Sequence, residues 1–354
     1  MVQYVGVAEV ARLIGRVGID PFLLGLVAYL EEDFRRWEAF EKTSRLASHS
    51  PTGVIELMPI SDGVLYAFKY VNGHPANTAA GLLTVTGLGV LADVATGYPV
   101  FLCEMTLATA LRTAATSVLA ARHLAREDSR TMALIGLGAQ AEFQALAFRA
   151  ALGVTRLRVH DIDPRATAKF RRNLHGTGIA VTLAADAGDA VRGADIVTTA
   201  TALKAHARVL TQAMIEPGMH VNAIGGDCPG KTELEPEILR RASVFVEFLE
   251  QARIEGEIQQ LGPDAAATEL WRVVTGAVPG RRHAAEVTVF DSVGFAIEDF
   301  STLRYLRDLA TRTGLSTELD LVPRMADPKD LFGLLGHDVG PAAMPASAFV
   351  AEPA

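Results

Sequence analysis

The sequence predicts an α/β protein in two parts: a doubly wound parallel sheet, and a second α+β domain built on an antiparallel sheet. Three observations predict it. Beyond Asp128, short buried β-runs alternate with helical segments, the texture of a parallel sheet covered on both faces. Before that point β-like runs follow one another with only turn residues between them, as in an antiparallel meander. The chain has 354 residues, 49% apolar and 21% charged, long enough for two packed domains and too apolar for disorder.

The first part opens with helices at 7–17 and 21–40, the second exposing the charged run 31–36. Strands are expected at 53–58, 64–71, 81–86, 89–94 and 99–104, separated by Ser61-Asp-Gly63, Asn72-Gly-His-Pro75 and Ala95-Thr-Gly97. A long helix follows from Thr106, taken as its N-cap, to about Arg126, with Leu107, Leu111, Ala114, Val118 and Leu119 as its apolar stripe. In the second part, 131–135 is a buried strand, 139–152 a helix stopped by Gly153, and 156–160 the next strand. Strands near Val181 and at 195–201, 220–224, 243–247 and 287–290 continue the alternation, and a helix at 295–313 leads back toward the first part. The expected domains are 1–127, completed by about 315–354, and 128–314, with an Ala/Pro-rich tail at 340–354 expected to be mobile.

A net charge of −8 without a Lys/Arg-rich run excludes a nucleic-acid footprint. No basic and apolar leader opens the chain, and no apolar run reaches membrane-spanning length, so a cytoplasmic protein without a membrane partner is expected. Cys103 and Cys228 stand alone, which fits a reducing compartment. The nine histidines show no ligand spacing, and no metal is expected.

Gly136-Leu-Gly138-Ala-Gln-Ala141 sits between a strand and a helix, where a GxGxxA turn has a physical meaning. Gly136 allows the tight turn, Gly138 lets the backbone approach a pyrophosphate, and Ala141 in place of a third glycine still permits close helix packing. The helix N-terminus offers N–H groups to phosphate. Asp161 ends the next strand, where a carboxylate accepts from the adenosine ribose hydroxyls and repels a 2′-phosphate. This is a Rossmann turn for NAD rather than NADP. Arg165 nearby softens that preference without reversing it.

Charges interrupt the apolar strands of the first part. Glu56 and Lys69 can point at a ligand or, by strand alternation, at solvent. Arg112, flanked by small residues in an apolar helix, can face a ligand or a buried ion pair. Arg45 is the least distinctive, since surface arginines are common. In the second part Gly225-Gly-Asp227 follows a strand's carboxyl end, where open α/β sheets bind ligands, although Gly-Gly-Asp is also a plain turn. Cys228 beside it reads as a packing residue. Asp291-Ser-Val-Gly-Phe295 is another strand-end loop, with helix capping as its alternative role.

Several runs together resemble the ornithine cyclodeaminase/μ-crystallin family. They are Phe68-Lys-Tyr-Val-Asn-Gly-His-Pro75, Glu104-Met-Thr-Leu-Ala-Thr-Ala-Leu-Arg-Thr-Ala-Ala-Thr116, Gly136-Leu-Gly-Ala-Gln-Ala-Glu-Phe143, Gly225-Gly-Asp-Cys-Pro-Gly-Lys-Thr-Glu-Leu234, Arg253-Ile-Glu-Gly-Glu-Ile-Gln-Gln260 and Val287-Thr-Val-Phe-Asp-Ser-Val-Gly-Phe295. Likeness covers residues 40–335, and the run from Gly225 is most similar to the ornithine-specific branch. The resemblance implies tightly bound, recycled NAD, so that L-ornithine gives L-proline and ammonia without net redox change. It implies that Arg45, Lys69 and Arg112 hold the substrate carboxylate, that Glu56 faces the distal ammonium, and that Met58 and Val293 line the substrate. Asp227 would accept and return a proton. Thr84, Arg112, Gly136, Gly138, Ala139, Gln140, Asp161, Thr201, Val221, Asn222, Ala223, Ile224, Lys231 and Ser292 would contact NAD. The first domain would bind substrate and form a homodimer. A lysine-preferring cyclodeaminase, an alanine dehydrogenase or ketimine reductase, and a non-catalytic μ-crystallin-like binder are the alternatives within the family. The combined presence of Lys69, Arg112 and Asp227 argues against the binder, which has no need of a proton acceptor.

Overall fold

Two sheets organise the chain, in a computed structural model that describes residues 1–202 and 206–335. The tail expected to be mobile, and with it much of the expected completion of the first domain, lies outside the described residues.

The first sheet runs in the order Thr317–Leu319, Val2–Val5, Pro99–Glu104, Val85–Asp93, Leu65–Gly73, Gly53–Ser61, Glu41–Lys42, with Leu46–Ser50 also paired to Gly53–Ser61. It is antiparallel except where Val2–Val5 runs parallel to Pro99–Glu104, so the sheet is mixed rather than a pure meander. The two strands expected at 81–86 and 89–94 are one, Val85–Asp93, preceded by a 3-10 turn at Pro75–Ala80. Gly87 and Gly89 do not break it. They stay in the strand because Met105 and Leu303 pack onto their α-carbons, and a Cβ at Gly89 would fall 2.8 Å from Leu303. Leu46–Ser50 escaped the pattern because every residue in it is exposed; backbone pairing alone holds it.

The helix Ile19–Arg35 stops short of the expected Phe40, where Arg36 turns back onto the Asp33 carboxylate at 2.9 Å. Thr106 is not a cap but the first residue of Thr106–Leu124; Glu104 supplies the cap, its carboxylate accepting from the amides of Thr106, Leu107 and Ala108 at 2.8, 3.0 and 3.1 Å. That helix is buried on nearly every face, and its Ala-rich surface lets both sheets approach it.

The second sheet is wholly parallel, in the order Ala180–Leu183, Arg156–His160, Thr131–Ile135, Ile196–Thr199, His220–Ala223, Thr288–Asp291, Ser243–Val246, Thr268–Glu269. The order reverses beside Thr131–Ile135, and ligands bind at the carboxyl ends of strands at such a switch point. A separate parallel pair, His206–Leu210 with Thr232–Leu234, was not foreseen.

The final helix, Ala296–Thr313, was expected within the domain ending at 314. Its side chains pack on the helix Ile19–Arg35 and on the first sheet: Phe300 meets Phe40 edge-on at 5.1 Å, Tyr305 lies 5.1 Å from both Phe22 and Tyr29, and Leu303 covers Gly89. Among the described residues no single helix is long and apolar enough to cross a membrane. The bent pair Val7–Val17 and Ile19–Arg35, which passes by composition, buries Leu13, Phe22, Leu26 and Leu30 in the core.

Candidate active site

The glycine turn has the form its sequence demands. Gly136 sits at φ +93°, and a Cβ there would fall 2.6 Å from the Ala200 carbonyl oxygen, so both conformation and space call for glycine. Gly138 and Ala139 are exposed, and nothing lies within 4 Å of the position a Gly138 Cβ would take. Asp161 closes the turn from the next strand, its carboxylate accepting from the amides of Leu137 at 2.6 Å and Asp163 at 2.7 Å. Arg165 is turned away to Asp163. Gln140 Oε1 is buried without a hydrogen-bond partner, which a bound molecule would relieve. An open backbone approach, a strand-end carboxylate and an orphaned acceptor together fit a dinucleotide.

In the first sheet, the strand charges point inward. Lys69 is 1% exposed, its Nζ 2.8 Å from Asp299 Oδ1; burial first, and then the neighbouring Arg112, push its ammonium down to about 8. Arg112 pairs with Glu298 at 2.5 Å and lies 3.4 Å from Asp299. Glu298 and Asp299 occupy the first turn of the last helix, with Glu298 Oε1 also accepting the Phe295 amide. Gly294, at φ +77°, has no room for a Cβ, which would touch Arg112 Nη1 at 2.6 Å.

Arg45 is the least surface-like of arginines. Its guanidinium meets Glu56 at 3.1 Å and Glu255 at 3.0 Å, and donates to the Val293 and Gly294 carbonyls at 2.7 and 2.6 Å. It therefore ties the first sheet to the loop after Thr288–Asp291. Glu56 and Met58 are buried, which settles the question of solvent for Glu56. Burial, more than the charges around it, pushes Glu255 up to about 7. Arg45 Nε, Arg112 Nε, Glu255 Oε2 and Asp299 Oδ2 are buried with no aligned hydrogen bond, so contacts at ion-pair distance leave directional capacity unused.

Asp227 has its side chain 51% exposed, with Lys231 Nζ at 3.0 Å. Gly226 before it lies against the carboxylate of Glu257, two residues from the Glu255 that meets Arg45, which sets the Gly-Gly-Asp loop beside the cluster. Ser292 donates to Glu247 at 2.6 Å; burial first, and then the neighbouring Glu298, push Glu247 up to about 8. Val221, Asn222 and Ala223 are buried in the strand, and the Asn222 side chain is engaged by His220 and Thr198. Only Ile224 of that run lies half-buried at the carboxyl end. Thr201 donates its amide to Glu233 at 2.8 Å, and the Thr84 carbonyl accepts from the His74 amide at 2.8 Å. Asp291 ends its strand and caps another element, its carboxylate accepting from the amides of Glu257 and Ile258 at the start of the 3-10 helix Glu257–Gln260, while 292–295 form the expected loop. No cluster of His, Cys, Asp and Glu among the described residues could hold a metal ion.

The model of the ornithine cyclodeaminase/mu-crystallin family matches residues 8–314. The chain belongs to this family. It is 59% identical to ornithine cyclodeaminase of Brucella suis biovar 1 (strain 1330) over 335 residues, 95% of this chain and 94% of that one. A solved lysine cyclodeaminase, described for its recognition of L-lysine, L-ornithine and L-2,4-diamino butyric acid, matches with a TM-score of 0.84 at 34% identity over 93% of this chain and 98% of its own. An archaeal alanine dehydrogenase dimer with bound NAD matches with a TM-score of 0.83 at 30% identity, covering 91% and 99%.

The sequence reading missed the acidic half of the site: Glu298 and Asp299, Glu255, Glu247, Glu233 and Glu257. Glu298 was signalled locally, as the acidic third residue of a helix start, but read only as a capping signal it points to no partner in Arg112. Glu255 and Glu257 lie in a run that carried family resemblance without a stated role.

Proposed function

We propose that this chain is an NAD-dependent ornithine cyclodeaminase, converting L-ornithine to L-proline and ammonia. The observation that carries the substrate class is the charge arrangement of the pocket. Arg45, Lys69 and Arg112 are matched by Glu56, Glu298 and Asp299, and Glu255 stands over. A diamino acid brings one ammonium more than it has carboxylates, and that surplus suits the side on which Glu56 and Glu255 flank Arg45. A monoamino acid leaves it unmatched.

Each residue's part follows from its chemistry. Lys69 and Arg112 anchor the substrate carboxylate and so aim the α-hydrogen, a positioning contribution. Arg45, whose Nη2 is engaged by two carbonyls and whose Nη1 donates to Glu56, adds the second Nη1 hydrogen. The α-amine must be neutral before its carbon can be oxidised, and Asp227 accepts its proton. The glycine turn and Asp161 would hold NAD, which would supply reversible hydride chemistry beside the substrate. Glu56 orients the distal amine for five-membered ring closure, and Met58 and Val293 line the pocket. Thr84, Ala139, Gln140, Thr201, Ile224, Lys231 and Ser292 form the rim that would contact the cofactor. We assign residues 1–127 and the last helix to substrate binding, and residues 128 to about 295 to the cofactor.

The test is ammonia release from ornithine and from lysine with NAD far below substrate, with proline as the product from ornithine and its six-membered homologue, piperidine-2-carboxylate, as the product from lysine. Ornithine is expected to turn over many times per NAD, with lysine weaker by the 1–3 kcal/mol, roughly 10–200-fold, that one methylene is worth. Stoichiometric NADH formation would instead assign a net dehydrogenase.

A homodimer through the first sheet fits the same picture. Leu46, Leu57, Tyr70 and Leu88 stand directly opposite one another on consecutive strands, an outward row in which the three leucines are exposed. An apolar row of this kind on a sheet face marks an interface. Sedimentation should give twice the chain mass of 37.7 kDa, and a monomer at micromolar concentration would reject it. Work in the cytoplasm fits the two unbridged cysteines.

A further inference from the structure

Three glycines near the site have ordinary φ values and yet no room for a side chain. Gly225, Gly226 and Gly256 are absent from the glycines with positive φ, so conformation does not require them. Space does. A Cβ at Gly225 would fall 2.1 Å from Glu233 Oε2, one at Gly226 2.6 Å from Glu257 Oε1, and one at Gly256 2.5 Å from Asp291 Oδ2. Each glycine lies against one carboxylate, and the three carboxylates are fully buried.

The three acids are linked in sequence through the backbone. Asp291 accepts from the amides of Glu257 at 2.7 Å and Ile258 at 3.0 Å. Glu257 in turn accepts from the amides of Glu233 at 2.7 Å and Leu234 at 3.0 Å, with Gln260 Nε2 at 3.1 Å. Glu233 accepts from the amide of Thr201 at 2.8 Å and from its hydroxyl. Each acid thus fixes the residue that carries the next. One end adjoins Ser292 and Val293, the other is Thr201, and Gly225 and Gly226 rest on the middle. From the same turn Gln259 accepts from the Gly230 amide at 2.7 Å and donates to the carbonyls of Cys228 and Lys231 at 3.3 Å.

Asp227 follows Gly226, is half exposed, and among the described residues has Lys231 as its side-chain hydrogen-bond partner at 3.0 Å. Its own packing does not place it. We propose that Glu257, held by Asp291 and holding Glu233, is the positioning residue that sets the Gly225 and Gly226 backbone and so the reach of Asp227 toward the substrate amine. The inference rests on the proton-handling role given to Asp227 above. A carboxylate is required because it accepts two adjacent amides at once, whereas a glutamine turns an NH₂ toward one of them. Burying it is costly, and its two oxygens are met by the amides of Glu233 and Leu234 and by Gln260.

The experiment compares Glu257→Gln, Gly226→Ala and Asp227→Asn in the full chain carrying NAD, with ornithine as substrate. Glu257→Gln is expected to keep its bound NAD, its Tm within a few degrees and its KM within about threefold, while kcat falls at least about tenfold. Gly226→Ala, which leaves the buried acid in place and presses on it from the loop side, should show the same split and carries the test if Glu257→Gln does not fold. A kcat within threefold of the parent, or a loss that tracks lost NAD or lost folded protein, overturns the inference. Asp227→Asn should abolish turnover with NAD still bound. Near-normal turnover there removes the role of Asp227 and this inference with it, whereas an inactive Asp227→Asn beside an unaffected Glu257→Gln removes the inference alone.

Discussion

The cofactor turn and the charged pocket are built in opposite ways. The turn is made of backbone: Gly136 at φ +93°, exposed Gly138, and a carboxylate from the very next strand. Its parts lie within one βαβ unit, and its specificity needs few side chains. The pocket is made of side chains delivered by Arg45, Glu56, Lys69, Arg112, Glu255 and the pair Glu298 and Asp299, from segments far apart in the chain. A backbone site tolerates change at its edges and fails sharply at a glycine. A side-chain site of paired charges fails wherever one partner is removed, because the other is left buried and unmatched.

The largest effect should come from the side-chain region. Lys69→Ala is expected to cut kcat/KM for ornithine by orders of magnitude, leaving Asp299 buried without its 2.8 Å partner while NAD still binds. A change under about threefold would mean that Lys69 serves the fold and not the substrate. In the backbone region, Gly136→Ala is expected to weaken NAD at least about tenfold, since a side chain at positive φ alone costs 1–2 kcal/mol and this one also meets Ala200. Titration of NAD by fluorescence reads it, and unchanged affinity would show that the turn relaxes. The smallest effect separates the regions by pH. Lys69, lowered to about 8, is protonated below that value and loses its charge above it, so ornithine KM should rise on the alkaline side of pH 8 while NAD affinity stays level. Lys69→Arg should move that rise to higher pH; a rise that does not move belongs to another group.

The same contrast governs what could be read in advance. The strands Thr131–Ile135 and Arg156–His160, the turn between them and Asp161 stand where periodicity and glycine spacing put them, because the interactions that specify them are local. Lys69 and Arg112 were visible as charges in apolar surroundings, but their partners Asp299 and Glu298 were not, since nothing in the first turn of a distant helix announces a contact across about 190 to 230 residues of chain. Arg45 looked like a surface arginine and is enclosed by Glu56, Glu255 and two carbonyls. The break expected between the strands 81–86 and 89–94 is absent, and Gly87 lies inside Val85–Asp93, where the packing of Met105 outweighs local preference.

The amino-acid sequence by itself determined the doubly wound half, the dinucleotide turn with its choice of NAD, and, through resemblance, the family and the residue types of the chemistry. Tertiary structure alone decided that the last helix covers the first sheet, that the pocket's cations each have a buried acid, and that Gly225, Gly226 and Gly256 are glycines for lack of space rather than for a turn. Hydrogen bonds within a βαβ unit repeat with a period that a sequence displays. Electrostatic pairing in a low-dielectric cleft has no period, and only the folded chain brings its partners together.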